Sequence, residues 1–311
     1  PAAAPLSMWN YVVRRLLVTI PTVLAVVTVC YLLLHFTPGG PFDSEMKVSD
    51  AVLANLQAKY HLDQPLWKQY LLYLDDLVHG DLGASFRYAD WSVNDLVASA
   101  LPVSLAIGGS AMVIAVVVGV AIGIAAALRQ NGPVDFAVML VGNIGSVLPS
   151  FVLGPVLVLV FAIELPWLPS GGWDDFAPRY MVLPIALLTL INISTIGRIM
   201  RGSLIEVLSS NFIRTARAKG LPMRVVVLRH ALRPALLPVV SVIGPLAISS
   251  ITSAIVTVSW FSIPGLGKLI VNGASDRDYT LVLGLVVLVT VLAVLLNLLV
   301  DLAYAWLDPK I

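Results

Sequence analysis

Charge is scarce in this chain, and cysteine scarcer still. Of 311 residues, 12% are Asp, Glu, Lys or Arg, while 59% are apolar. Soluble proteins carry about 25% charged and about 45–50% apolar residues. A water-soluble domain cannot hide so large an apolar excess, which runs against a soluble enzyme or a nucleic-acid binder. One cysteine, Cys30, lies in an apolar run. An internal disulfide framework and a cysteine-only metal site are therefore excluded.

Several chemistries lack their residues. The only Gly-Lys pair, Gly267-Lys268, is followed by Leu269, so the phosphate-cradling loop GxxxxGK[ST] is missing. No HExxH occurs, and His35, His61, His79 and His230 are far apart in sequence. No catalytic site and no metal site are expected. A proton- or sodium-coupled carrier places an ionisable residue in mid-membrane. The apolar runs offer none, although Asp301 stands near the end of the last one. An intramembrane hydrolase fails on the same absence. Energy for any transport is expected from elsewhere.

What is present is membrane sequence, with a mean hydropathy of +0.93. About 20 apolar residues in a helix cross the hydrocarbon core. Six runs free of Asp, Glu, Lys and Arg qualify: 16–38, 103–128, 136–163, 180–197, 234–262 and 280–300. The fourth is short and is expected to continue as helix past Gly197. The first is too long for a signal-peptide core and is read as a permanent span. Residues 1–7 precede Met8 and are expected to be a cloning remnant. The expected division is span 1 at 8–38, an external segment at 39–97 and a core of five spans at 98–311.

Lys and Arg in the loops set orientation. Arg14 and Arg15 precede span 1. Residues 198–233 hold eight Lys/Arg and one acid, whereas 39–95 hold four Lys/Arg and nine acids. Both termini and 198–233 are therefore expected in the cytoplasm, and 39–95 outside. In the external segment, Asp50 or Ser49 can cap a helix carrying Val52, Leu53, Leu56 and Tyr60. Pro65 fits the first turn of a second helix containing Trp67, Tyr70, Leu71 and Leu74. Ser92 to Asp95 reads as a capping box for the helix feeding span 2. This mostly helical cap either closes the outer face or docks an external partner.

The basic loop is the most informative segment. Ile213, Ala216, Arg217, Gly220 and Leu221 share one face of a short helix that Pro222 ends. That face mixes apolar and small residues, which lets another protein approach closely. A basic stripe on anionic lipid is the plainer reading. Within the spans, Asn143 and Ser146 stand in the third, Asn192 and Ser194 in the fourth, and Ser249 and Thr252 in the fifth. Small and polar residues either permit close helix packing or line a path for a polar solute.

The stretch FIRTARAKGLPMRVVVLRHALRPALLP, 212–238, resembles the EAA loop of membrane subunits of bacterial ABC importers. Arg214, Thr215, Ala216 and Gly220 match the form seen in the peptide and nickel branch, with Leu237-Pro238 as the distal Leu-Pro. TPGGPFD from Thr37, KYHLDQPLWKQY from Lys59, HGDLGASFRYADWSVNDLV from His79, IPGLGKLIVNGASDRDY from Ile263 and LDPKI from Leu307 resemble the B-type subunits of oligopeptide importers. Val258 departs from the Glu usual in that family.

The resemblance implies an all-α, six-span type I ABC importer permease. It implies a C-type permease partner, two ATPase subunits and an external peptide-binding protein, with no nucleic acid involved. ATP and Mg would be bound by the ATPases and no cofactor by this chain. Residues 213–221, namely Ile213, Arg214, Thr215, Ala216, Arg217, Ala218, Lys219, Gly220 and Leu221, would couple to an ATPase. The same fold importing dipeptides, glutathione, nickel or an antibiotic peptide stays open. So does a stand-alone secondary carrier.

Overall fold

The computed structural model describes residues 8–36, 63–88, 90–252 and 260–307. The expected helix at 52–60, the position of Val258 and the last four residues lie outside the described residues, as do residues 1–7. The fold is helical. Among the described residues the one β feature is an isolated antiparallel bridge between Ala84 and Ser92.

Helix α1 spans Met8–Phe36 and α2 spans Leu66–Val78. Pro65 stands one place before α2 as its N-cap, where its missing N–H costs nothing. Helix α3, Val93–Leu128, begins earlier than the apolar run alone. The expected capping box explains the start: Asp95 N–H donates to Ser92 Oγ at 3.1 Å, and Ser92 N–H donates to Asp95 Oδ2 at 3.3 Å.

The third apolar run is not one helix. It is divided into α4, Pro133–Val147, and α5, Ser150–Glu164, whose last six residues are π-helical. Pro149 makes the break. It lacks an N–H and pushes Leu148 out of the helical region. Among the described residues, five other helices are long and apolar enough to cross a membrane. These are α1, α3, α6 (Pro178–Ser209), α8 (Met223–Thr252, with a π-helical stretch at Val226–Ala231) and α10 (Tyr279–Leu307). Helix α6 continues past Gly197 as expected. Among the described residues two short helices remain, α7 at Asn211–Ala218 and α9 at Leu266–Ser275.

The bundle is built around α3 against α6. An added Cβ on Gly123 would stand 2.7 Å from the Gly197 carbonyl oxygen, and one on Gly119 would stand 2.8 Å from the Ile196 side chain. Lipid tails are as apolar as leucine, so helices associate through close van der Waals packing. Small residues make that approach achievable. The same device brings α3 to α8, where a Cβ on Gly108 would meet the Ser250 carbonyl at 2.8 Å.

Candidate functional site

Helix α7 follows α6 after a single residue, Ser210. Ile213 and Ala216 are buried in one core cluster with Met200 and Leu204 of α6 and Val226 of α8, and Leu221 packs against it. Arg214, Thr215, Arg217, Ala218, Lys219 and Gly220 are exposed. The face read from the sequence is thus divided. Its apolar members hold α7 to its own chain, because an amphipathic helix buries its apolar stripe wherever a core is within reach. The surface open to a partner is the polar side together with the exposed Phe212.

The end of α7 is a Schellman turn. Gly220 N–H donates to the Arg217 carbonyl at 2.9 Å, and Leu221 N–H donates to the Ala216 carbonyl at 3.4 Å. Gly220 occupies the left-handed position with φ +77°, as that motif requires. An added Cβ there would meet nothing within 4 Å in this chain. The glycine therefore serves the turn, not a close approach within the subunit.

A carboxylate that the sequence reading passed over lies beside this region. Asp135, in the first turn of α4, is 3% exposed and accepts two hydrogen bonds from the Arg201 guanidinium of α6. Arg201 Nε donates to Oδ1, and Nη2 donates to Oδ2 at 2.6 Å. Asn131 N–H also donates to Oδ2, at 2.9 Å. Asp135 precedes the third apolar run. The Arg201 hydrogen bond holds its carboxyl below the usual value, against desolvation and with help from Asn131. Such a group lends stability above its unfolded pKa and loses it as pH falls through the lower folded one. Only the distance of 66 residues between the partners hid the pair from local pattern reading.

The polar residues of the spans separate into two groups. Asn192 is buried and donates to Ser250 Oγ at 2.8 Å, joining α6 to α8. Ser194 is buried, donates to the Leu190 carbonyl at 3.0 Å and faces Gly145 of α4. Ser249 is exposed and Thr252 half-buried. Asn143 and Ser146 stand in α4, but their side chains lie outside the described residues.

At the other end of the bundle, Asp278 is fully buried just ahead of α10. It accepts from Ser85 Oγ, from Arg87 N–H at 3.3 Å and from Leu281 N–H at 3.1 Å. Asn272 of α9 donates to the Tyr88 hydroxyl at 3.1 Å. Two of the segments singled out as family motifs, from His79 and from Ile263, are thereby joined.

The transport-system inner-membrane family described as "Binding-protein-dependent transport system inner membrane component" matches residues 119–311. The chain belongs to this family. Among the relatives of this permease family member, "Oligopeptide transport system permease protein OppB" of Haemophilus influenzae is 53% identical over 304 residues, covering 98% of this chain and 99% of the relative. OppB of Escherichia coli is 52% identical with the same coverage. "Dipeptide transport system permease protein DppB" of Bacillus subtilis is 40% identical, covering 98% of each. An inward-facing structure of the MetNI methionine ABC transporter matches with a TM-score of 0.58 and 19% identity. It covers 68% of this chain and 96% of that one. The likeness establishes the type I ABC importer permease fold. The chain is a multi-pass inner-membrane permease subunit.

Proposed function

We propose that this permease forms half of the translocation pathway of an ATP-driven oligopeptide importer. The observation that carries the substrate class is full-length identity above 50% to oligopeptide permeases. The partners are a second permease, two ATPase subunits that bind ATP and Mg, and an external peptide-binding protein. The exposed side of α7, with Arg214, Thr215, Arg217, Ala218, Lys219 and Gly220, seats in a groove of an ATPase. Ile213, Ala216 and Leu221 anchor it to α6 and α8 and pass the motion on. Both termini are cytoplasmic, from the Lys/Arg asymmetry of the loops. Ser249 and Thr252 of α8, with Asn143 and Ser146 of α4, contribute to the path, while Asn192 and Ser194 set helix positions behind it.

The test is uptake by the reconstituted complex with labelled dipeptides, tripeptides and pentapeptides. ATP-dependent uptake of tripeptides and pentapeptides supports the reading. Uptake confined to dipeptides replaces it with the reading that the DppB relative suggests. Uptake independent of ATPase subunits sinks both.

A further inference from the structure

We propose that the Asp135–Arg201 pair is a latch that makes α4 follow α6 during transport. The pair is therefore a positioning element for coupling, and this rests on the functional reading above. Helix α4 is built as a separable lever. It begins after the turn at residues 129–132, where Asn131 adopts φ +61°, and it ends at the Pro149 break. Neither end continues as helix into its neighbour, so the 15 residues of α4 can move as one body.

This lever packs along α6 and against α3, and two features of its seat on α6 fix its position. In the membrane, Gly145 lies so close that an added Cβ would collide with Ser194 Oγ and stand 2.7 Å from the Leu190 carbonyl oxygen. At the cytoplasmic end, Arg201 grips Asp135 with a paired fork. A bidentate guanidinium–carboxylate contact fixes orientation as well as distance. The Arg201 side chain is 22% exposed and that of Asp135 5%, so water screens the contact weakly.

The position of Arg201 gives the latch its role. It lies eight residues before Ser209, about 12 Å along the helix at 1.5 Å per residue, and α7 begins just beyond. Ile213 and Ala216 share a core with Met200 and Leu204, which flank Arg201 in sequence. A displacement of α7 thus reaches Arg201 through packed side chains, and the fork hands it to α4. The same carboxylate accepts the Asn131 N–H, so the turn ahead of α4 moves with it. Without the fork, the packing around Gly142 and Gly145 still holds the membrane part of α4 to α6, while its cytoplasmic end is free to lag.

The test uses the reconstituted complex with Asp135→Asn, and Arg201→Lys as a variant that keeps the charge but loses the fork. Peptide imported per ATP hydrolysed should fall at least about fivefold in Asp135→Asn, the low end of measured site-to-site coupling. Hydrolysis itself should stay near the wild-type rate. In a Cys30→Ser background, spin labels at the exposed Phe136 and Glu206 should keep one separation through the nucleotide cycle in the wild type. In the variant that separation should change. An unchanged import ratio in both variants overturns the latch, and so does a label separation equally constant in wild type and variant. If Asp135→Asn fails to assemble, Arg201→Lys decides alone by the same two readouts. A wild-type complex that hydrolyses ATP without importing peptide overturns the functional reading and this inference with it. A wild type that imports, beside variants with normal ratios, overturns the latch alone.

Discussion

Ser85 donates a hydrogen bond to Asp278 across 193 residues of chain, and both side chains are buried. The carboxylate also receives the N–H groups of Arg87 and Leu281, so it closes the loop between α2 and α3 onto the start of α10. Asp278→Ala removes the acceptor shared by Ser85 Oγ and the Leu281 N–H, while the Arg87 N–H keeps Ser85 Oγ as its second acceptor at 3.2 Å. Hydrogen bonds to charged groups are worth about 1.5–3 kcal/mol each, and partial relaxation offsets some of the loss. A destabilisation of about 3 kcal/mol is expected, read as a lower Tm of the detergent-solubilised protein. An unchanged Tm would show that this junction does not hold the loop between α2 and α3.

The turn after α7 separates backbone demands from contact demands. Gly220→Ala places a Cβ in open space but at φ +77°, a strain of about 1–2 kcal/mol. Gly220→Asn tolerates that conformation better, so it should import more peptide than Gly220→Ala. Gly220→Trp should abolish uptake while ATPase turnover continues. Arg217→Ala should import nearly normally, since its side chain is exposed and exposed ion pairs contribute about 0–1 kcal/mol. Equal uptake in all four variants would remove α7 as the mechanical link.

Close packing of α3 on α6 predicts a sharp size limit at Gly123. A leucine there would drive its Cβ into the Gly197 carbonyl and the Met200 side chain. Overpacking of this kind costs about 1–3 kcal/mol. A loss of monodisperse protein on size-exclusion chromatography, or a lowered Tm, checks it. Gly109→Leu is the control, because nothing lies within 4 Å of its added Cβ.

Asn192 should matter for stability rather than for choice of peptide. Its hydrogen bond to Ser250 is of the interhelical kind worth about 1 kcal/mol in a membrane. Asn192→Leu should lower Tm with the ranking of competing peptides unchanged. A reordered ranking in competition uptake assays would place Asn192 on the path instead.

Orientation is open to chemical labelling in a Cys30→Ser background. A cysteine at Val78, which is 84% exposed, should react with an impermeant maleimide added to spheroplasts. A cysteine at the exposed Ser209 should react only after the membrane is opened. The reverse pattern would invert the topology.

The amino-acid sequence by itself determined the membrane class, the apolar spans, the capping box at Ser92, the continuation of α6 past Gly197 and the short helix before Pro222. Each of these depends on residues within a turn or two of one another, so periodicity, capping and proline geometry suffice to read them. Tertiary structure alone decided that Ile213 and Ala216 turn inward, that Asn192 joins two helices, and that Asp135 meets Arg201 and Asp278 meets Ser85. A small or polar residue in a span has the same composition whether it packs or lines a path, and only the neighbour brought against it tells which. The third span shows both levels at once. Its apolar run could be read locally, and so could Pro149, but the freedom of α4 and its hold on α6 arise only where Gly145 and Asp135 meet residues far away in the chain.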